Sequence, residues 1–265
     1  MTDEPILISE RIGAVHRLTL NDPGRLNALS EEMLTLLQAR LDALHVDPTA
    51  RAVVIRGVGK AFCAGHDLRQ MQAARQAGDG GRDYFNALFA KCTRVMTAIR
   101  RLPIPVIAEV HGVATAAGCQ LVATADMAVA ADTARFGVNG VNIGLFCSTP
   151  MVALSRNIGR KQAFEMLTSG AFISADRALE LGLVNRVVPQ GEQGDAAMEL
   201  AGKVADKLSA AVRVGKEAFY AQGEMSVDAA YAYTGRVMAE NMLLRDTDEG
   251  VTAFLEKRTP DWAQE

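Results

Sequence analysis

Aromatic residues are scarce in this chain: Phe, Tyr and Trp make up 5% of its 265 residues, and Trp occurs once. A surface that stacks nucleic-acid bases needs several rings, so such a partner is not expected. The charge balance agrees, with 28 Lys plus Arg against 31 Asp plus Glu and a net charge of -3, which gives no basic footprint for phosphates. The four cysteines (Cys63, Cys92, Cys119, Cys147) contain no C-x-x-C pair, so neither a zinc site nor a disulfide framework is expected and no metal is assigned. No apolar run approaches the ~20 residues of a membrane span, so membrane insertion is not expected. The start, Met1-Thr-Asp-Glu-Pro5, is acidic, without an apolar core region or an excess of Arg. Neither a secretory signal nor a transit peptide is expected, and the expected location is the cytoplasm, with reduced thiols.

What is present is apolar and small. The hydrophobic fraction is 49%, and with few rings Ala, Val, Leu and Ile must fill the core. The length allows one large α/β domain with a helical appendage. Ile6–Ile8 and Ala14–Leu20 read as strands, and Asn21-Asp-Pro-Gly24 as a turn. Ser30 can cap a helix whose apolar stripe is Leu29, Met33, Leu37, Leu41 and Leu44. Ala52–Ile55, Val106–Val110 and Asp126–Ala131 read as buried strands, with a helix from about Tyr84 to Arg101 and a small-residue loop, Gly112–Gly118, opening another near Cys119. Ala73–Asp83 reads as a surface segment. From Gln162 the pattern is mostly helical, interrupted by a strand Val184–Val188. The change of character near 190 divides the expected organisation into a β/α body, 1–190, and a helical part, 191–265.

One internal similarity bears on chemistry. Val53-Val-Ile-Arg-Gly57 through Ala64-Gly-His-Asp-Leu68 resembles Ile107-Ala-Glu-Val-His-Gly112 through Ala117-Gly-Cys-Gln-Leu121. Each is a buried strand, a glycine turn, a loop and a helix start. Repeated ββα turns would bring two helix N-termini to equivalent places, presenting backbone N–H groups to an oxyanion. The small residues Ala64, Gly65, Ala117 and Gly118 would let a carbonyl approach the backbone closely. Nucleotide readings fail: Phe62 stands where a G-x-G-x-x-G fingerprint needs its third glycine, and Val54 and Ala61 break a P-loop.

The stretch Lys60-Ala-Phe-Cys-Ala-Gly-His-Asp-Leu-Arg-Gln-Met71 resembles the signature of the crotonase (enoyl-CoA hydratase/isomerase) superfamily. Leu20 through Leu29, Ile104 through Gly112, Ala117 through Leu121, Arg135-Phe-Gly137 and Gly182 through Pro189 resemble further segments of that family in the same order, over nearly the whole chain. His66-Asp-Leu and Gly144 through Pro150 are similar to one branch of it. The resemblance implies an α/β fold, a spiral of repeated ββα turns, with the helical C-terminal part forming trimers or dimers of trimers. It implies an acyl-CoA thioester as partner, with CoA present only as part of the substrate and no other cofactor. The thioester oxygen would lie between the backbone N–H groups of His66 and Ala117. Arg25, Leu26, Ala28, Ala64, His66, Asp67, Leu68 and Ala117 fall where the family contacts its substrate.

The chain departs from the family at the residues that handle protons. The first hydratase glutamate is replaced by Gln120 and the second by Gly140, and no Asp or Glu occurs between Asp132 and Glu165. Hydration needs a base for water and an acid for the α-carbon, each contributing typically ~10²–10⁴-fold. A glutamine amide accepts no proton at neutral pH. Binding and enolate stabilisation are therefore expected, and efficient hydration is not. A non-catalytic acyl-CoA binder, a decarboxylase and a thioesterase are the alternatives. Asn139 and Asn142 are candidate polar groups of the pocket, and Cys119 and Cys147 are candidate thiols near it.

Overall fold

The computed structural model describes residues 4–263, so the first three residues of the acidic start lie outside the described residues. Two strands, β1 (Leu7–Ile12) and β2 (Val15–Leu20), pair antiparallel. Helix α1 (Glu31–His45) follows, with the Ser30 hydroxyl accepting the Met33 N–H and Glu31 and Glu32 at its positive end. Its stripe Met33, Leu34, Leu37, Leu41 and Leu44 is buried, each large side chain contributing about 1.5–3 kcal/mol by leaving water.

The body then repeats one unit. Strand β3 (Ala52–Gly57) leads to β4 (Ala61–Cys63), β5 (Val106–Val110) to β6 (Val113–Thr115), and β7 (Met127–Ala131) to β8 (Arg135–Gly137). The first strand of each pair joins one sheet and the second joins another. The large sheet runs β1-β2-β3-β5-β7-β10, with β10 at Arg186–Val188, and the small one β4-β6-β8-β9, with β9 at Ile173–Ser174. Within the repeat all pairings are parallel. Successive strands of this kind wind as a spiral, and the helices fill between turns: α2 (Leu68–Ala74) and α3 (Arg82–Arg101) after β4, α4 (Ala117–Thr124) after β6, and α5 (Ser148–Asn157) and α6 (Arg160–Ser169) after β8.

Strands β3 and β5 are buried on both faces, which explains their unbroken apolar runs. Val53, Ile55, Val106 and Ala108 enter the main core with α1 and α3. Val54 and Ile107 meet Ala197 and Ala201 of α8 (Gln193–Ala205) on the other face. Helix α8 thus packs on the sheet, although it lies beyond the expected boundary at 190. Helices α7 (Ala175–Leu181), α9 (Ser209–Gln222), α10 (Val227–Met242) and α11 (Arg245–Glu256) complete the chain. Among the described residues no helix is long and apolar enough to cross a membrane.

Several expected boundaries move. β1 extends past Ile8 because the antiparallel partner β2 carries it to Ile12. The loops Gly57–Gly65 and Gly112–Gly118 each contain a three-residue strand, too short to register as a pattern. Helix α4 opens at Ala117, two residues before Cys119, and α5 had no counterpart in the sequence reading.

Candidate functional site

The two similar segments come together as their glycines require. A Cβ on Gly118 would run into the Cys63 carbonyl and stand 2.9 Å from the Cys63 Cβ. A Cβ on Gly65 would stand 3.0 Å from the Ala116 Cβ and 3.1 Å from the Ala117 nitrogen. The loop after β4 and the start of α4 therefore touch through backbone.

Two peptide planes face this junction with free donors. The Gly65 carbonyl accepts the Leu29 N–H at 2.7 Å. A trans peptide sends its N–H opposite to its C=O, so the His66 N–H points away from Leu29. The Ala116 carbonyl accepts the Gln120 N–H at 3.0 Å as the first bond of α4, so the Ala117 N–H points out of the helix start. Among the described residues neither N–H donates to another group. Ala116 itself adopts φ 50°, ψ -119°, a conformation costing of order 1–3 kcal/mol for a side chain with a Cβ.

A third segment completes the rim. After the 3-10 turn Pro23–Arg25, Leu26 and Asn27 both take left-handed backbone, each at φ 54°. Asn27 is fully buried: its Oδ1 accepts the Asp22 N–H at 2.9 Å, and its Nδ2 donates to the Val58 and Ala61 carbonyls, both at 2.8 Å. The Ala64 N–H donates to the Leu26 carbonyl at 3.1 Å. Arg25, Leu26 and Ala28 thus lie beside Ala64, Asp67 and Leu68, with Leu26 and Leu68 exposed and Ala28 buried. Asp67 caps α2 through the N–H groups of Arg69 and Gln70 and meets the Arg25 guanidinium at 3.5 Å, while Arg25 pairs more closely with Asp22 at 2.6 Å. The sequence reading missed Asn27 as the organiser of this rim, although Asn inside a turn, with its tolerance of left-handed backbone, was the available signal.

The positions of the absent glutamates differ in kind. Gln120 is 6% exposed and its Oε1 is buried without a partner among the described residues. Gly140, in the 3-10 segment Asn139–Ile143, has no room for any side chain: an added Cβ would meet the Leu145 carbonyl and stand 2.9 Å from the Cys147 Sγ. Asn139 accepts from the Thr115 hydroxyl at 2.6 Å, joining this segment to β6. Asn142 does not serve as the expected free polar group, because its amide donates to the Gly170 carbonyl at 3.3 Å and closes the end of α6. Burial pushes the Cys119 thiol up to about 12 and raises Cys147, which disfavours the thiolate at both.

The His66 ring is tied to the same frame. Its Nδ1 lies 3.3 Å from the Leu29 carbonyl, and Phe89 of α3 packs against the ring edge-on at 5.6 Å. A carbonyl only accepts, so Nδ1 carries the proton and Nε2 is bare. That Nε2 is buried without a partner among the described residues, and burial lowers the pKa of the ring.

The family model described as enoyl-CoA hydratase/isomerase matches residues 10–265. A Xenopus laevis protein named enoyl-CoA hydratase domain-containing protein 3, mitochondrial, is 44% identical over 260 residues, covering 97% of this chain and 86% of the relative. A crystal structure of an enoyl-CoA hydratase from Mycobacterium smegmatis superposes with TM-score 0.94 at 55% identity, over 98% of this chain and 99% of the other. The human enoyl-CoA hydratase domain-containing protein 3 structure superposes with TM-score 0.93 at 42% identity, over 97% of this chain and 100% of the other. The Xenopus, human and zebrafish relatives are all named mitochondrial, which overturns the expected cytoplasmic location.

Proposed function

The chain belongs to the enoyl-CoA hydratase/isomerase family, and on that premise we propose that it binds an acyl-CoA thioester and stabilises the thioester enolate between the N–H groups of His66 and Ala117. The single observation that carries this reading is the pair of unpartnered peptide N–H groups on adjoining loops. Backbone donors fixed before reaction are worth far more to a developing oxyanion than mobile ones in water. Arg25, Leu26, Ala28, Ala64, Asp67 and Leu68 form the rim that receives CoA, with the Arg25 guanidinium, held by Asp22 and Asp67, at its edge. Hydration proceeds well below the rate of an enzyme with two glutamates, because Gln120 transfers no proton and Gly140 offers no side chain. The packed space at Gly140 favours acyl-CoA binding without turnover as the second reading.

The protein acts as a homo-oligomer, a trimer or a dimer of trimers. Helix α10 buries no residue, and Tyr231, Met238, Leu243, Phe254 and Leu255 of α10, α11 and their connection are exposed. Apolar surface on this scale marks an interaction face.

The test is loss of enoyl absorbance with crotonyl-CoA and a longer enoyl-CoA, alongside calorimetric binding of butyryl-CoA and light scattering on the same sample. Slow turnover with intact binding by an oligomer is expected. Absence of acyl-CoA binding would sink the reading.

A further inference from the structure

We infer that the bare Nε2 of His66 is the proton acceptor of this site and stands in for the missing carboxylates. The inference rests on the acyl-CoA reading above and names the group that moves the proton.

The imidazole belongs to the same residue as the first oxyanion donor, so only Cα and Cβ separate its ring from that donor nitrogen. The Leu29 carbonyl fixes Nδ1 as the donor, at 3.3 Å, and thereby leaves the Nε2 lone pair free. Leu29 also holds the Gly65–His66 peptide through its N–H at 2.7 Å, so one buried residue orients the base and the oxyanion donor together. The Nε2 atom is shielded from water and has no partner among the described residues. A polar atom buried in this way costs free energy unless something pairs with it.

The other titratable groups nearby are committed. Both Asp67 oxygens are engaged, one by the Arg69 and Gln70 N–H groups and the other by Arg25. Burial pushes the Cys63 and Cys119 thiols up to about 12, and it raises Tyr84 on α3. Glu109 lies on the opposite side of the large sheet, near Gly194 of α8. Burial of the His66 ring keeps it in the neutral form that accepts a proton.

The step balances without a co-reactant. Nε2 takes a proton from C2 of the acyl group. The C–H bonding pair becomes the C1–C2 π bond, and the carbonyl π pair moves onto the oxygen held by the two N–H groups. The imidazolium then returns a proton to C2. With a 2-enoyl thioester the same group takes a proton from water as its oxygen bonds to C3, and gives that proton to C2.

The test is deuterium incorporation at C2 of butyryl-CoA in D2O, read by NMR, with calorimetric binding of the same ligand. His66→Asn keeps a donor for the Leu29 carbonyl and removes the base, and His66→Ala removes both. Exchange by the wild type, slowed about 100-fold or more in both variants while His66→Asn still binds, is expected. Exchange at the wild-type rate in His66→Asn would show that the ring only positions the loop and would overturn the inference. Wild-type binding without exchange also overturns it while leaving acyl-CoA binding intact. Failure of the wild type to bind removes the underlying reading as well.

Discussion

The two halves of the site have one shape and two constructions. Each donor residue follows a residue of positive φ, Gly65 at 88° and Ala116 at 50°; Ala117 opens α4, and His66 lies two residues before α2. In the first half hydrogen bonds do the holding: Leu29 fixes the peptide, Asp67 caps α2, and Asn27 ties the adjoining rim to Val58 and Ala61. α2 buries no residue. In the second half packing does the holding. Helix α4 has no side-chain cap, yet Ala117 through Ala123 are all buried. A half held by directed bonds sits at the rim and carries a titratable side chain. A half held by close contact is buried from Ala117 through Ala123 and carries no histidine, carboxylate or cation.

The largest expected effect breaks the packed half. Gly118→Ala places a methyl against the Cys63 carbonyl, which is backbone and cannot swing away. Overpacking of this kind costs about 3 kcal/mol, so denaturant unfolding should show that loss together with loss of acyl-CoA binding. A cost under about 1 kcal/mol would mean that α4 slides freely and that the comparison fails.

The next prediction separates the two absent glutamates. Gln120→Glu puts a carboxylate at a buried position whose present amide oxygen has no partner, and hydration of crotonyl-CoA should rise about 100-fold. Gly140→Glu should give no gain and should destabilise the fold, since Leu145 and Cys147 already occupy the space. A gain from Gly140→Glu would show that the 140–147 segment opens.

Much of this was readable in the sequence, for specific reasons. The repeat of strand, glycine turn and A-G-x-[DQ]-L announced both halves, because each glycine is demanded by a backbone approach or a positive φ. Ser30 and Asp67 announced their helices through capping chemistry. The strands β4, β6 and β8 were hidden, since three residues cannot show a period of two. Asn27 was hidden because its partners lie 31 and 34 residues further along. The fate of Asn142, bonded across 28 residues, was likewise beyond local pattern.

Smaller effects sharpen the bonded half. Asp67→Ala removes a cap and should cost about 1 kcal/mol, with little added by the half-exposed Arg25 pair. The same half carries the histidine. Burial lowers the His66 pKa from its ordinary 6.5, so below that value the unfolded chain binds more protons than the folded one. Stability therefore falls as pH drops below about 6.5. His16 and His111 are lowered too, so His66→Asn should shallow the acid decline in thermal unfolding temperature without abolishing it. An unchanged decline would show that the ring is not the buried, neutral group described.

The smallest effect concerns the one place where the packed half uses a strained residue where the bonded half uses glycine. Ala116 holds φ 50° and ψ -119° against a steric cost of order 1–3 kcal/mol. Ala116→Gly removes that cost and adds about 0.5–1 kcal/mol of unfolded-state entropy, so a net gain of about 1 kcal/mol is expected. Activity should move the other way. The Ala116 Cβ lies where a Gly65 Cβ would touch it at 3.0 Å, so the methyl wedges the two loops and fixes the peptide that carries the Ala117 N–H. A glycine there lets that peptide rotate, and a donor that must be reoriented during reaction stabilises an oxyanion less than a fixed one. A variant with higher unfolding temperature and lower deuterium exchange would show that the strain serves the donor. Equal or higher exchange would show that packing at Gly118 alone orients the helix start, and that Ala116 is strained to no catalytic end.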